Sequence, residues 1–195
     1  MTMAHTSLHF SLRTDALPTP LAIPEVLLIK PRRFADARGW FSETFSLSEM
    51  EALGLPRFIQ DNESLSVNAG TIRGLHFQKG PHAQAKLVRC ARGALMDVVL
   101  DIRPGSPTFG RHVTTQLTPE SGEQLLVPVG FAHGFCTLEP NTVIQYKVSS
   151  PYAPGNERGV AWNDPALGIV WPVTAEQATI SDRDAQLPRL AEALL

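Results

Sequence analysis

Residues 71–103 read TIRGLHFQKGPHAQAKLVRCARGALMDVVLDIR, and this stretch decides the fold class. It holds three short apolar runs, which are separated by the turn-forming segments KGPHAQ (79–84) and RG (92–93). Runs of about four to ten residues between Gly and Pro signals are typical of β-strands. The stretch therefore predicts three consecutive strands.

The same pattern continues on both sides of this stretch. Many short strands at near-regular spacing, with turn signals between them, indicate a β-sandwich or a β-barrel. We therefore expect an all-β protein with a few short helices. The further strand-like runs are VLLIKP (26–31), GWFSETF (39–45), RFIQDNESLSV (57–67), HVTTQLT (112–118), EQLLVPV (123–129), AHGFCTL (132–138), VIQYKV (143–148) and GVAWN (159–163).

Helical signals are confined to two segments. SLSEMEALGL (46–55) has a serine at its start that can cap a helix, and Gly54 followed by Pro56 would end it. The last segment, from 175 onward, predicts another short helix. Residues 1–22 have weak periodicity and are interpreted as an N-terminal extension, either a loose arm or an edge strand. Residues 23–195 are expected to form a single domain.

Composition limits the classes of function. The chain has 195 residues with 43% hydrophobic and 18% charged residues, which is typical of a globular protein. A net charge of −2 gives no general attraction to nucleic acid or membranes. The two cysteines, Cys90 and Cys136, are too few for a disulfide scaffold and are interpreted as reduced thiols. With no signal-peptide pattern or long apolar run, we expect a cytoplasmic protein.

Alternation along the predicted strands indicates which side chains share a face. In ALMDVVLDIR, one face carries the even-numbered residues Ala94, Met96, Val98, Leu100 and Ile102, and the other face carries Asp97, Asp101 and Arg103. Tyr146 shares a face with its apolar neighbours and should point into the barrel. His76 shares a face with Gln78. Polar groups on an interior face need partners or a ligand, so the barrel is expected to contain a lined cavity.

RGLHFQ holds the first candidate for chemistry. His76 is either a structural histidine or a base. Lys86 follows ten residues later across the Gly-Pro turn, and this spacing predicts that the two lie on adjacent strands facing one cavity. Arg73 lies three residues before His76, which is the opposite face of an ideal strand. A neutral histidine beside a lysine suits a base next to an electrophilic stabiliser.

VPVGFAHGF (127–135) is the second candidate motif. Its glycines indicate a tight turn, and His133 lies either in that turn or at a barrel mouth. Together the two motifs resemble those of the cupin superfamily, which implies an antiparallel jelly-roll barrel. Metal-binding cupins have His-x-His where this chain has His76-Phe77-Gln78, and Lys86 would repel a divalent cation. No metal site is therefore expected.

A longer resemblance covers residues from about Ile23 to Pro188. The chain resembles the dTDP-4-dehydrorhamnose 3,5-epimerase family in several long motifs that occur in the same order. The motifs are FADARGWFSETF (34–45), QDNESLSV (60–67), IRGLHFQ (72–78), AQAKLV (83–88), DVVLDIRPGSPTFG (97–110), QLLVPVGFAHGF (124–135), YKVSSPYAPGNERGVAWNDP (146–165) and IVWP (169–172). The resemblance implies an isomerase that acts on a nucleotide sugar.

The resemblance also implies roles for individual residues. His76 corresponds to the base, Tyr146 to the acid, and Lys86 to a residue near the ketone oxygen. Asp184 corresponds to the carboxylate that holds the histidine, with Asp182 as the alternative. Tyr152 corresponds to a residue that stacks on the thymine ring, and Arg183 replaces the family's usual lysine. The remaining implied substrate contacts are Arg38, Glu43, Gln60, Asn62, Arg73, His133 and Glu157.

Chemistry supports these assignments independently. A proton next to a ketone can be removed because an enolate forms, and inversion requires its return from the other face. A base and an acid on opposite sides of the sugar meet this need without a cofactor. Other interpretations stay open: Tyr146 and Tyr152 could be packing residues, Arg38 and Arg73 structural ion-pair partners, and Asp184 a helix cap.

Three classes of function remain after this reasoning. The first is an epimerase that inverts C3 and C5 of dTDP-4-dehydro-6-deoxy-D-glucose to give dTDP-4-dehydro-L-rhamnose, with a single-centre epimerase as its close variant. The second is a metal-dependent cupin enzyme, and the third is a barrel that binds nucleotide sugars without catalysis. The resemblance further implies a homodimer in which an N-terminal strand covers a free sheet edge.

Overall fold

The computed structural model describes residues 18–193. The part of the predicted N-terminal extension that covers residues 1–17 lies outside the described residues. These described residues form thirteen strands and two short α-helices. The strands are β1 (Thr19–Pro20), β2 (Leu27–Ile29), β3 (Arg33–Asp36), β4 (Gly39–Ser42), β5 (Gln60–Ser66), β6 (Ile72–Gln78), β7 (Lys86–Arg92), β8 (Leu95–Asp101), β9 (His112–Leu117), β10 (Gln124–Val127), β11 (Phe131–Thr137), β12 (Thr142–Val148) and β13 (Glu157–Gly159); the helices are α1 (Leu47–Ala52) and α2 (Asp182–Ala185).

The strands form two large sheets and one hairpin. The six-stranded sheet has the order β1-β2-β10-β7-β12-β5, and the five-stranded sheet has the order β13-β6-β11-β8-β9. Strands β3 and β4 form the separate hairpin. Neighbouring strands pair antiparallel throughout these sheets. The predicted fold class, an all-β antiparallel jelly-roll barrel with a few short helices, is confirmed.

The main core lies between the two large sheets. Val88, Leu125 and Ile144 from the six-stranded sheet pack against Val99 and Phe135 from the other, and all five are buried. Tyr146 packs against this cluster, as its position in VIQYKV predicts. The sheets therefore meet through their apolar inner faces, which is what strand alternation favours in a sandwich.

The outer face of the five-stranded sheet is also covered. Val98 and Leu100 of β8 pack with Leu167 and with the partly buried Trp171 and Leu190 from the C-terminal segment. Strand β8 is consequently buried on both faces. Asp97 and Asp101 therefore point into the protein, between the sheets, and each is 0% exposed. Alternation separates the two faces of β8 correctly, but it does not distinguish the barrel interior from this second interface.

The two helices lie where the sequence predicts them. Ser46 precedes α1, and Gly54 with φ +67° follows it in the left-handed region that glycine tolerates. Met50 of α1 packs over Leu87 and Leu126 on the outside of the six-stranded sheet. Within the described residues, neither helix is long and apolar enough to cross a membrane.

Candidate active site

A cavity of about 370 Å³ opens between the two sheets. Its walls carry both polar and aromatic side chains, and seven of the thirteen residues that the sequence assigns to the site contribute to it. A cavity with a few convergent polar groups is the usual form of a small-molecule site. The lining residues are Gln60, Asn62, His76, Phe77, Gln78, Gln84, Lys86, Tyr146, Val148, Tyr152 and Glu157.

Strand β6 reaches the cavity through a glycine bulge. On β11, His133 pairs with His76 of β6, and Phe135 pairs with Arg73. The two residues on β11 are two positions apart, whereas their partners on β6 are three positions apart. The extra residue on β6 puts Arg73 on the same face as His76, so the prediction that they lie on opposite faces is wrong. Gly74 has φ +118°, and a Cβ there would stand 2.7 Å from the Cα of Gly134. Only glycine fits this close approach.

His76 is held from behind by a buried carboxylate. Its Nε2 lies 2.8 Å from Oδ1 of Asp184, whose Oδ2 accepts the N–H of Gly74 at 3.1 Å. Burial alone would raise the pKa of Asp184, but the bonds to His76 and Gly74 lower it below its usual value. Because Asp184 stays ionised, it fixes the ring as the tautomer that donates from Nε2. Nδ1 is then the nitrogen free to take a proton.

Helix α2 shows why Asp184 rather than Asp182 reaches His76. The side chain of Ser181 caps the helix by accepting the N–H of Asp184 at 3.1 Å. The Asp184 carboxylate is therefore not needed as the cap and turns inward, where the residue is 5% exposed. Asp182 is exposed. The interpretation of Asp184 as a helix cap is wrong.

Tyr146 and Lys86 stand on the opposite wall from His76. Both belong to the six-stranded sheet, in β12 and β7, whereas His76 belongs to the five-stranded sheet. The prediction that His76 and Lys86 lie on adjacent strands is wrong, because the chain crosses between sheets at residues 79–85. The expectation that they face one cavity agrees with the structure. A ligand in the cavity would lie between His76 on one side and Tyr146 on the other.

Burial changes the acidity of both groups on this wall. It raises the pKa of the Tyr146 hydroxyl, which Arg73 partly offsets. Tyr146 therefore stays protonated and can donate. Burial also lowers the pKa of Lys86 to about 8, although the charges of Asp97 and Glu157 oppose the change. Lys86 remains mostly protonated at neutral pH and can stabilise a developing negative charge.

A second histidine and aspartate lie beneath the cavity wall. Nε2 of His133 is 2.8 Å from Oδ1 of Asp97, and both side chains are buried. The contact lacks hydrogen-bond geometry, and neither oxygen of Asp97 has a hydrogen-bond donor among residues 18–193. His133 therefore supports the wall and does not line the cavity. Sequence reasoning missed Asp97, and its one signal was a carboxylate inside an otherwise apolar strand.

The rim of the cavity carries a tyrosine, a carboxylate and an arginine in contact. The hydroxyl of Tyr152 donates to Oε2 of Glu157 at 2.5 Å, and Nη2 of Arg183 contacts the same oxygen at 2.5 Å. Burial would raise the pKa of Glu157, but the bonds from Tyr152 and Arg183 lower it. Arg183 is next to Asp184 in sequence. The rim is therefore joined to the helix that holds His76.

The other predicted contacts fall into two groups. Gln60 donates to Asn62 at 2.8 Å along β5, and both line the cavity. Arg73 is fastened to the same strand by bonds to Ser66 and Leu65. Arg38 and Glu43 do not line the cavity. The Arg38 side chain is 90% exposed and pairs with Asp36 at 2.6 Å in the β3–β4 hairpin.

Two lining glutamines, Gln78 and Gln84, were not predicted as site residues. Gln78 shares a face with His76 and stands where metal-binding cupins have a second histidine, and neither observation assigns it to the site. Within residues 18–193, no three His, Cys, Asp or Glu side chains are grouped as metal ligands.

The chemistry that the cavity supports is proton transfer at a carbon between His76 and Tyr146, with Lys86 beside the developing charge.

Comparisons with known proteins all lead to one family. A family model described as dTDP-4-dehydrorhamnose 3,5-epimerase matches residues 20–192. A relative of that name from Sinorhizobium fredii is 53% identical over 176 residues, which is 88% of each chain. A crystal structure of dTDP-4-dehydrorhamnose 3,5-epimerase from Bacillus anthracis, with TDP and PPi bound, has a TM-score of 0.84 at 47% identity and covers 88% of this chain and 98% of that one. The epimerase RmlC from Legionella pneumophila, in complex with dTDP-4-keto-L-rhamnose, has a TM-score of 0.84 at 40% identity, covering 90% and 93%.

Proposed function

The chain belongs to the dTDP-4-dehydrorhamnose 3,5-epimerase family, and on that premise we propose that it inverts C3 and C5 of dTDP-4-dehydro-6-deoxy-D-glucose by proton transfer between His76 and Tyr146. One observation carries this proposal. His76, which Asp184 holds from behind, and Tyr146 belong to different sheets, and both line the same cavity. Inversion needs a base and an acid on opposite faces of one carbon, and this is the arrangement that two facing sheets supply.

The first step is removal of a proton next to the ketone. Nδ1 of His76 takes the proton, and the electron pair of the C–H bond moves into an enolate. The imidazolium that forms is stabilised by Asp184, which is already ionised and within 2.8 Å of Nε2. The ammonium of Lys86 stabilises the enolate oxygen. A preorganised donor of this kind contributes about 3 to 4 kcal/mol to the transition state.

The second step returns a proton from the other side. The Tyr146 hydroxyl donates to the enolate carbon, the carbonyl forms again, and the centre is inverted. His76 has then gained a proton and Tyr146 has lost one, so both must exchange with solvent before the next inversion. The product consequently carries solvent hydrogen at each inverted carbon.

The nucleotide end is proposed to bind along the rim. Tyr152 is 54% exposed and offers a flat ring for stacking on the base. Gln60 and Asn62 supply amide groups from β5, and Arg73 and Arg183 supply positive charge for the diphosphate. Glu157 orients Tyr152 and Arg183 through the two contacts on its Oε2.

We also propose a homodimer in which the hairpin of one chain serves the cavity of the other. Arg38 and Glu43 match substrate contacts by sequence but do not line their own chain's cavity. The same hairpin exposes Phe34, Trp40 and Phe41, which are large aromatic side chains of the kind that interfaces bury. A mixture of His76→Ala and Arg38→Ala chains should then recover activity, because mixed dimers have one intact site. No recovery would contradict the shared site.

Proton NMR in deuterated water tests the reaction itself. The unaltered protein, given dTDP-4-dehydro-6-deoxy-D-glucose, should replace the C3 and C5 protons with deuterium as product forms. Exchange at one centre would indicate the single-centre variant, and no exchange would overturn the proposal.

His76→Ala should abolish exchange while dTDP binding persists. Tyr146→Phe should reduce product more than exchange, whereas Tyr152→Phe, the matched control among the chain's two tyrosines, should keep turnover within about threefold.

A further inference from the structure

The amide of Gln78 is fully occupied by the backbone of two loops. Gln78 is 6% exposed, although its side chain borders the cavity. Its Nε2 donates to the carbonyl of His82 at 2.8 Å and to the carbonyl of Pro151 at 3.0 Å. Its Oε1 accepts the N–H of Ala153 at 2.6 Å. Both amide protons and the amide oxygen are therefore used within the chain.

These bonds fix the direction in which the amide points. The N–H of Ala153 requires an oxygen, and the two carbonyls require N–H donors, so exchanging the amide's oxygen and nitrogen would break all three bonds. The amide of Gln78 consequently binds the backbone of the loops at His82 and at 151–153. A substrate group would have to displace a backbone partner to bind this amide.

Two of the three partners flank Tyr152 directly. Pro151 precedes Tyr152 and Ala153 follows it, and the amide of Gln78 holds one backbone group of each. The Tyr152 ring itself has little packing, since the residue is 54% exposed. Apart from the contacts of its hydroxyl with Glu157 and Arg183, the ring is placed by the backbone at 151 and 153. An exposed ring that is already held in place loses less conformational entropy when a base stacks on it.

We propose that Gln78 is a positioning residue for Tyr152, setting the affinity of the site for the base of the nucleotide through the backbone on both sides of that ring. This inference depends on the proposed function of Tyr152. Strand β6 then carries two functional residues. His76 acts on the sugar, and Gln78, two residues later, positions the ring that contacts the base.

The test measures dTDP binding by isothermal titration calorimetry and steady-state kinetics with the sugar nucleotide. Gln78→Met keeps the side-chain length and removes all three bonds. It should raise the Kd for dTDP and the KM about tenfold and leave kcat within about threefold. Gln78→Glu keeps the acceptor for Ala153 but turns a carboxylate oxygen toward the carbonyls of His82 and Pro151, which repel it, so it should weaken binding at least as much. If thermal unfolding shows that Gln78→Met does not fold, the binding test is made with Gln78→Glu alone.

A double-mutant cycle separates positioning from general loop stability. In the Tyr152→Ala background, adding Gln78→Met should change the Kd for dTDP less than twofold, because no ring remains to be positioned. If the two effects multiply instead, Gln78 acts independently of Tyr152 and the inference is wrong. If Tyr152→Ala alone leaves the Kd unchanged, the proposed function of Tyr152 fails as well. These two failures are therefore distinguishable.

Discussion

Asp97 and Asp101 lie four residues apart on β8, face the same side and are equally buried, yet their surroundings are opposite. Asp101 accepts hydrogen bonds from the backbone N–H of Arg103 at 2.9 Å and from its guanidinium at 2.9 and 2.7 Å. The hydroxyls of Ser106 and Thr108 add two more, at 2.6 and 2.5 Å. Asp97 has no hydrogen-bond donor among the described residues.

The difference separates a carboxylate that builds the fold from one that serves the site. Asp101 fastens the turn after β8, and its bonds satisfy both of its oxygens. Asp97 instead contacts Nε2 of His133 at 2.8 Å, and its charge acts on Lys86, which faces the cavity. A buried polar group that is incompletely satisfied is costly. Such groups concentrate at functional sites, where a charge without hydrogen bonds acts more strongly on the groups around it.

The largest expected effect is on stability, at Asp101. Asp101→Ala removes the acceptor for five bonds and should lower the free energy of unfolding by about 3 kcal/mol, measured by urea denaturation at pH 7. Burial would raise the pKa of Asp101, but its bonds hold it well below the usual value. This stabilisation is therefore present above about pH 4 and is lost as pH falls further.

The comparison predicts a different result for Asp97→Ala in the same assay. Asp97→Ala loses the contact with His133 and the charge near Lys86 but none of the hydrogen bonds that Asp101 accepts, so it should lower the free energy of unfolding by less than Asp101→Ala does. An equal loss of stability for the two variants would break the distinction between a structural and a functional carboxylate.

Asp97 also shows where sequence reasoning reaches its limit. Alternation gives the two faces of β8 correctly, but nothing local reveals that the C-terminal segment covers the face that carries Val98 and Leu100. The prediction that Arg73 and His76 lie on opposite faces is wrong for a related reason, since the bulge at Gly74 shifts the register by one residue. Both depend on contacts between segments that are distant along the chain.

Other parts of the site follow directly from local sequence. The strand runs and the α1 boundaries are set by turn residues and period, so they are predictable. Tyr146 points inward because its neighbours at 144 and 148 are apolar. The choice of Asp184 over Asp182 needed the resemblance, and the structure gives its physical reason in the Ser181 cap. The role of Gln78 could not be predicted, because its partners lie in loops whose paths the sequence does not specify.

The next prediction concerns activity, at Asp97. Asp97→Asn removes a charge that raises the pKa of Lys86, so that pKa should fall below its value of about 8. If protonated Lys86 is required, kcat of the unaltered protein declines above about pH 8, and this decline should move on the order of one pH unit lower in the variant. The rate at pH 8 should then drop about fivefold. The other titratable groups that line the cavity with Lys86 are His76, Tyr146, Tyr152 and Glu157, and His133 contacts Asp97.

Asp101→Asn is the matched control for this pH profile. It removes a carboxylate from the same face of the same strand, so a general loosening of β8 should affect both variants. Only Asp97→Asn should move the basic side of the profile. A lower kcat with an unchanged profile in Asp97→Asn would mean that Asp97 acts through packing and not through its charge on Lys86.

The smallest expected effect is at the hydroxyls that surround Asp101. Ser106→Ala removes one donor, but the bonds from Arg103 and Thr108 remain, so the free energy of unfolding should fall by only about 0.5 kcal/mol. Thr108→Val should behave alike. Combining the two should cost more than the sum of the single effects, because the second loss leaves Arg103 as the only donor. Strict additivity in urea unfolding would instead indicate that each hydroxyl contributes independently of the network around Asp101.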